Sequence, residues 1–312
     1  MSQWTVSGPE QITFEEPVDT LQVRIVAGVV NVVASEGPAR LEVTELEGDA
    51  LHIEQVDGVL TVTYPELNVG RFSEALKSLE SVKSFFGTLR KHNRAVVSLA
   101  VPAGAEVKVG TVSADTTVSG IAGRVSVNGA SGETTLVGIS GRTDANTVSG
   151  AVTAQALSGE LRAHSVSGDL TVIAGTADRI AAKSVSGAVT LDLDVRTAAE
   201  ISVSTVSGPV GIRLPSLADT KVELGTTSGD LSSTFEELTV NGSWGAKRLS
   251  GEIGSGAGKL QVTTVSGAVT VLRRPEPEED RPSLVKELPT TPAAPAAEAP
   301  ADSTAPSDSE EN

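Results

Sequence analysis

The sequence predicts an all-β chain: a right-handed parallel β-solenoid (β-helix) of roughly 18–22-residue coils, with one amphipathic helical insertion and a disordered C-terminal tail. Three observations predict it. The dipeptide Ser-Gly recurs with its serine at 119, 131, 140, 149, 158, 167, 186, 207, 228, 250 and 266. Apolar residues keep fixed offsets from that dipeptide. The composition is aliphatic and glycine-rich, 39% hydrophobic with only 3% aromatic and 31 glycines, which favours short β-branched strands and turns over helices.

The serine step is nine residues from Ser131 to Ser167, then 19, 21, 21 and 22, with a last step of 16. Gly175 and the pair Asn241-Gly242 stand near the half-way points of two long steps. The repeating unit is therefore a coil of two half-repeats. An apolar residue precedes the serine at Val118, Ile139, Val148, Leu157, Val166, Val185, Val206, Leu249 and Val265. Another follows it by three at Val152, Leu161, Leu170, Val189, Val210, Leu231, Ile253 and Val269, and often a third two places on, as at Ala154, Ala163, Val172, Leu191, Ile212 and Val271.

Residues two apart on a strand share a face, so each unit reads as a short strand with an apolar inner face, followed by a corner. All three columns are expected to point inward. Glycine is expected to supply a left-handed or cramped corner, with serine bonding to nearby backbone. One such strand cannot bury its own face. Stacking strands about 4.8 Å apart makes parallel sheets and continuous aliphatic ladders. A narrow coil has no room for stacked rings, in keeping with the scarcity of aromatics. A β-sandwich competes, but it does not require a fixed side-chain code at fixed spacing.

Four regions follow. Residues 1–70 read as irregular N-terminal β coils or a cap, with strand-like runs at Gln11–Phe14, Leu21–Ile25, Val29–Val33, Leu41–Thr44, Leu51–Gln55 and Leu60–Tyr64. Residues 71–94 read as an amphipathic basic helix: Phe72, Leu76, Leu79, Val82, Phe86 and Leu89 recur at steps of three and four. Residues 95–274 form the regular solenoid with Ser-Gly repeats. Residues 275–312 hold eight prolines and ten carboxylates against Arg281 and Lys286. This composition lacks the apolar content to offset the entropy of ordering.

The segment 71–94 is the one basic island in a chain with 40 acidic and 24 basic residues. Phe72, Lys77, Lys83, Phe85, Phe86, Leu89, Arg90 and Lys91 are the candidate contact residues, for an anionic membrane surface or a protein partner. The competing reading docks the helix on the solenoid with its apolar face down.

Other chemistry is hard to place. There is no cysteine, which removes disulfides, thiolate metal sites and thiol nucleophiles. His52, His92 and His164 are scattered and read as isolated surface residues. Asp144, Asp169, Asp192, Asp194 and Asp230 fall on different coils and read as solvated carboxylates, so no acid/base pair can be assembled. A net charge of −16 disfavours nucleic acid. No catalytic, cofactor or metal site is expected. The first residues, Met-Ser-Gln-Trp, lack the basic and apolar regions of a signal peptide, so the expected location is the cytoplasm, or its membrane surface through residues 71–94.

The cadence Val148-Ser149-Gly150-Ala151-Val152, repeated at Val166–Val172, Val185–Val189 and Val265–Val269, resembles bacterial β-strand-repeat proteins of unknown function that carry an adhesin label. The likeness covers about residues 100–272 and the N-terminal part loosely. It implies a β-solenoid fold and brings no catalytic motif. The expected function is a non-enzymatic scaffold or adhesin-like interaction protein whose partner is unknown. The alternatives are a polymerising structural protein like the bactofilins and a carbohydrate-active β-helix enzyme.

Overall fold

Long strands that turn corners organise the N-terminal end. The computed structural model describes residues 1–65, 93–194, 198–216, 218–242 and 245–274, and every regular element among them is a β-strand. The first six are β1 (Ser2–Val6), β2 (Glu10–Thr13), β3 (Thr20–Ala34), β4 (Arg40–Glu47), β5 (Leu51–Val56) and β6 (Val59–Thr63). β7 (Arg94–Val101) and β8 (Glu106–Ser119) follow. β3 joins two of the expected runs through Gly28, whose φ of 118° allows the bend.

The first half of β3 pairs with β6 and its second half with β7, both parallel, and β8 pairs along all of β3. Antiparallel strands then close this end: β5 and β1 beyond β6, β4 and β2 beyond β7. β1 was not among the expected runs. Trp4, Phe14 and Tyr64 sit at this end, with Trp4 edge-on to Phe14 at 5.3 Å.

From β8 onward the molecule is the expected stack of coils. One ladder takes the first half of β8, then β9 (Val125–Gly129), β11 (Thr143–Thr147), β13 (Glu160–Ser165), β15 (Arg179–Ser184) and β17 (Glu200–Thr205). The second takes the other half of β8, then β10 (Thr134–Val137), β12 (Val152–Gln155), β14 (Leu170–Gly175), β16 (Val189–Leu193) and β18 (Val210–Pro215). All these pairings are parallel. The register partners Thr134, Val152, Leu170, Val189 and Val210 advance by 18, 18, 19 and 21 residues per coil. Both ladders face one core, in which Leu161, Ile180, Ile201 and Val203 of the first ladder and Leu170, Val172, Leu191 and Ile212 of the second are buried.

The final coils do not follow chain order. β19 (Thr220–Thr226), β20 (Leu231–Ser233), β21 (Thr239–Gly242), β22 (Lys247–Ile253), β23 (Gly258–Thr264) and β24 (Val269–Arg274) complete the chain. β17 pairs with β23, and β23 pairs in turn with β19. Likewise β18 pairs with β24, and β24 with β20. The last coil of the sequence is thus inserted one layer before the end of the stack. β22 and β21 continue the first ladder as antiparallel strands.

Three expectations need correction. The column before the serine divides. Val118, Ile139, Leu157 and Leu249 are buried, whereas Val166, Val185, Val206 and Val265 are 39%, 46%, 46% and 49% exposed. The dipeptide Ser250-Gly251 is no corner: it lies inside β22, opposite Glu223 and Val222 of β19. The expected helix 71–94 falls mostly on residues 66–92, outside the described residues, but its last residue, Arg94, opens β7. There Asn93 is buried and exchanges hydrogen bonds of 3.0 Å with Asp49. The expected tail, 275–312, also lies outside the described residues.

The corner glycines have a stacking reason. A Cβ on Gly150, Gly168, Gly187, Gly208, Gly267 or Gly229 would collide with the carbonyl of the glycine one coil below. Within that column only Gly132, in the first position, has a left-handed φ, +98°. Crowding, with the backbones in near contact, is what excludes side chains from the rest.

Candidate functional site

The corner between the two ladders also explains the exposed valines. The inner residue before each corner is a hydroxyl: Thr147, Ser165, Ser184, Thr205, Thr264 and Thr226. In five of these coils the hydroxyl oxygen accepts the amide of the glycine three residues on, as Thr147 does from Gly150 at 2.9 Å and Thr205 from Gly208 at 3.2 Å. The buried amide needs an acceptor, so the hydroxyl takes the inner position. The next residue, one step along an alternating strand, is forced outward. In five coils that residue is Val148, Val166, Val185, Val206 or Val265, which stack into an apolar ridge, and after Thr226 it is Thr227.

Beside the ridge runs a polar column on the outer face of the first ladder. Asn128, Asn146, His164 and Lys183 are successive register partners. Asn146 donates its side-chain amide to the Asn128 Oδ1 at 2.9 Å. Between column and ridge lies a groove of about 520 Å³ bounded by these four residues and by Val148, Val166 and Val185. No carboxylate pairs with Lys183 among the described residues. The groove therefore offers methyl groups on one wall, and amides, an imidazole and an ammonium on the other, repeating once per coil.

Elsewhere the outer faces satisfy themselves. At the strand starts of the first ladder Arg124, Asp144, Arg142, Glu160 and Arg162 form a line of ion pairs, with Arg124–Asp144 and Arg162–Glu160 at 2.7 Å. On the second ladder Thr117, Thr135, Thr153, Thr171 and Thr190 stack as register partners, a β-branched column that suits a half-exposed sheet. Further along, Asp192 accepts from Arg213 and from Arg274, whose Nε lies 3.1 Å from Oδ1. The Arg213 hydrogen bond outweighs the opposing effect of burial and, with the hydrogen bond and charge of Arg274, holds the Asp192 carboxyl below its ordinary value. Asp230 is likewise lowered by its bond to Lys247. Asp144, Asp192 and Asp230 are thus ion-pair partners, with Asp230 still 86% exposed as expected, while Asp192 and Asp194, expected on different coils, share the coil of β16 and both face Arg274.

The residues singled out from sequence are distributed as follows. Phe72, Lys77, Lys83, Phe85, Phe86, Leu89, Arg90 and Lys91 lie outside the described residues, as does His92. His52 is exposed on β5, on a different strand from the groove. His164 lies in the groove, a role that its isolation in sequence concealed. The signal was present: Asn128, Asn146 and His164 are spaced 18 apart and Lys183 19 further on, the same steps as the coils. Among the described residues no cluster of three His, Cys, Asp or Glu side chains could hold a metal, and no helix is long and apolar enough to cross a membrane.

Comparison with known proteins adds a family. The family model described as Toastrack DUF4097 matches residues 77–272. Three solved structures are similar over most of the chain. One, from Clostridium sporogenes, is named for cell adhesion (13% identity, 85% of this chain and 100% of that one, TM-score 0.24). A second, from Parabacteroides distasonis, is named for lipid binding (14% identity, 86% and 97%, TM-score 0.47). The third, from Parabacteroides merdae, carries an adhesin name (12% identity, 88% and 96%, TM-score 0.36). No curated protein matches the sequence.

Proposed function

We propose that this chain, which belongs to the Toastrack DUF4097 family, is a non-enzymatic interaction scaffold that binds a protein partner along the ridge and groove of its first ladder. The coils wind right-handed, as parallel strand connections do. The observation that carries the reading is the stack of exposed valines, Val166, Val185, Val206 and Val265, beside the Asn128–Asn146–His164–Lys183 column. Contiguous exposed apolar surface rimmed by polar groups is characteristic of interaction sites. Among the described residues no carboxylate lines the groove around His164, which gives the carbohydrate-active alternative no acid/base pair there. The polymerising alternative requires open ends, and the antiparallel strands β1, β2, β21 and β22 occupy positions where further coils would stack.

The test is a quantitative affinity enrichment from the native host, comparing the wild type with a Val185→Glu, Val206→Glu double variant. The variant keeps its melting temperature and loses the enriched partner. An unchanged partner set with a folded variant removes the ridge from the binding surface.

A second reading concerns residues 71–94. Five basic residues remain there once Arg94 is assigned to β7, beside Phe72, Phe85 and Phe86. This composition favours reversible contact with an anionic bilayer, each basic residue contributing about 1 kcal/mol near the surface. Co-sedimentation with phosphatidylglycerol vesicles at low salt, lost at high salt, is the expected result. No pelleting at low salt ends that reading.

A further inference from the structure

The inserted coil, Gly258–Arg274, has an unusual place in the stack. Its β23 bonds to β17 along one edge, from Glu200↔Lys259 to Thr205↔Thr264, and to β19 along the other, from Thr220↔Gly258 to Thr226↔Thr264. Its β24 bonds to β18 and β20 in the same way. Both neighbours are distant in sequence. In chain order β18 is followed by β19 to β22, and the chain then returns to the layer between β17–β18 and β19–β20.

The layer is a slot with a defined code. Its walls present Ile201 and Val222, Val203 and Leu224, and Thr205 and Thr226 to the inner positions Leu260, Val262 and Thr264. At the corner Ser266 donates its hydroxyl to the carbonyl of Val206 at 3.3 Å, and Ser228 donates to Val265 at 3.2 Å. All of these contacts are made by one contiguous segment at the end of the described chain. Among the described residues the segment is joined to the rest of the chain through residues 254–257, a four-residue connection that contains Gly254 and Gly256, both with left-handed φ, 62° and 67°.

We propose that this slot is an interaction site for a second copy of the same chain, filled by that copy's residues 258–274. Any copy's coil makes the same ladder bonds in any copy's slot, so exchange changes only the path through residues 254–257 and the cost of association. Short connections beside an exchangeable element favour this form of assembly. The site is separate from the ridge and groove, and it carries no assumption about what they bind.

The chain has no cysteine, so introduced thiols report cleanly. Ser202 and Gln261 are register partners across β17 and β23 and both are exposed. Full-length S202C and Q261C variants, carrying different tags, are mixed, warmed just below their melting temperature, cooled and oxidised. The expected product is a covalent dimer bearing both tags, its yield rising with protein concentration. The comparator is T153C mixed with T171C, register partners of consecutive coils in β12 and β14, which should link several-fold less. Circular dichroism before oxidation establishes that all four variants are folded. In the same treatment, the S202C/Q261C double variant oxidised beforehand within one chain should no longer exchange. Equal linking in the two mixtures, or none in either, overturns the proposal.

Discussion

Ser266 donates both its amide and its hydroxyl to the carbonyl of Val206, at 2.9 and 3.3 Å, across sixty residues of sequence. The equivalent serines earlier in the stack, Ser149, Ser167, Ser186 and Ser207, reach back 19 to 22 residues to Ala130, Val148, Val166 and Val185. The same bond therefore marks both the regular coil and the point where chain order and spatial order part.

A consequence for stability follows from that placement. Among the described residues β19 and β20 pair with the stack only through β23 and β24. A chain ending at Ala257 should lose more than one coil: residues 218–253 should lose amide protection in hydrogen exchange, while a chain ending at Arg274 keeps it. Full protection of 218–253 in the shorter chain would contradict the insertion.

Inward and outward valines on adjacent coils should respond very differently. Val203→Asp places an unpaired charge in the core and should cost several kcal/mol, disturbing adjacent coils. Val185→Asp, on the exposed ridge, should change stability by about 0.5 kcal/mol or less. Urea unfolding of the two variants checks this, and an unfolded Val185→Asp protein would return that residue to the core.

The corner hydroxyls are expected to matter through the amide they satisfy. Thr205→Val keeps the shape and removes the acceptor of the Gly208 amide. A buried donor left alone costs about 1–3 kcal/mol. Thr205→Ser retains the acceptor and should lose less. Equal losses for the two variants would assign the position to methyl packing.

Acid should act on the Asp192 network with a definite sign. A carboxyl whose pKa is depressed in the folded state contributes stability that is complete above its unfolded pKa, ordinarily 3.8, and is lost as pH falls below that through the folded value. Asp192→Asn should therefore lower the stability at pH 6 by a small margin, on the order of 1 kcal/mol or less for a screened network, read from urea unfolding. The difference from wild type should close as pH drops below the ordinary carboxylate range. A difference that persists unchanged in acid would mean that the asparagine disturbs packing instead of charge.

The sequence by itself determined the repeating coil. Val152, Leu170, Val189, Val210 and Val269 lie at one offset from Ser-Gly, and all are buried in the second ladder, because strand alternation makes a fixed offset a fixed face. It determined less about the groove, since Asn128, Asn146 and His164 become neighbours only when 18-residue coils stack in register. Two features were decided by tertiary structure alone. Thr117-Val118-Ser119-Gly120 and Thr147-Val148-Ser149-Gly150 are the same tetrapeptide, yet Val118 is fully buried within the long β8 and Val148 stands on the outer ridge just past the end of β11. Which way a valine faces depends on whether the threonine before it is outer, as Thr117 is on the second ladder, or inner, as Thr147 is on the first, and the tetrapeptide does not carry that information. The insertion of β23 and β24 is the other. Every coil has the same inner chemistry, so local sequence permits several stacking orders, and the order is selected by the antiparallel β19–β22 pairing and by the short path from Ile253 to Gly258.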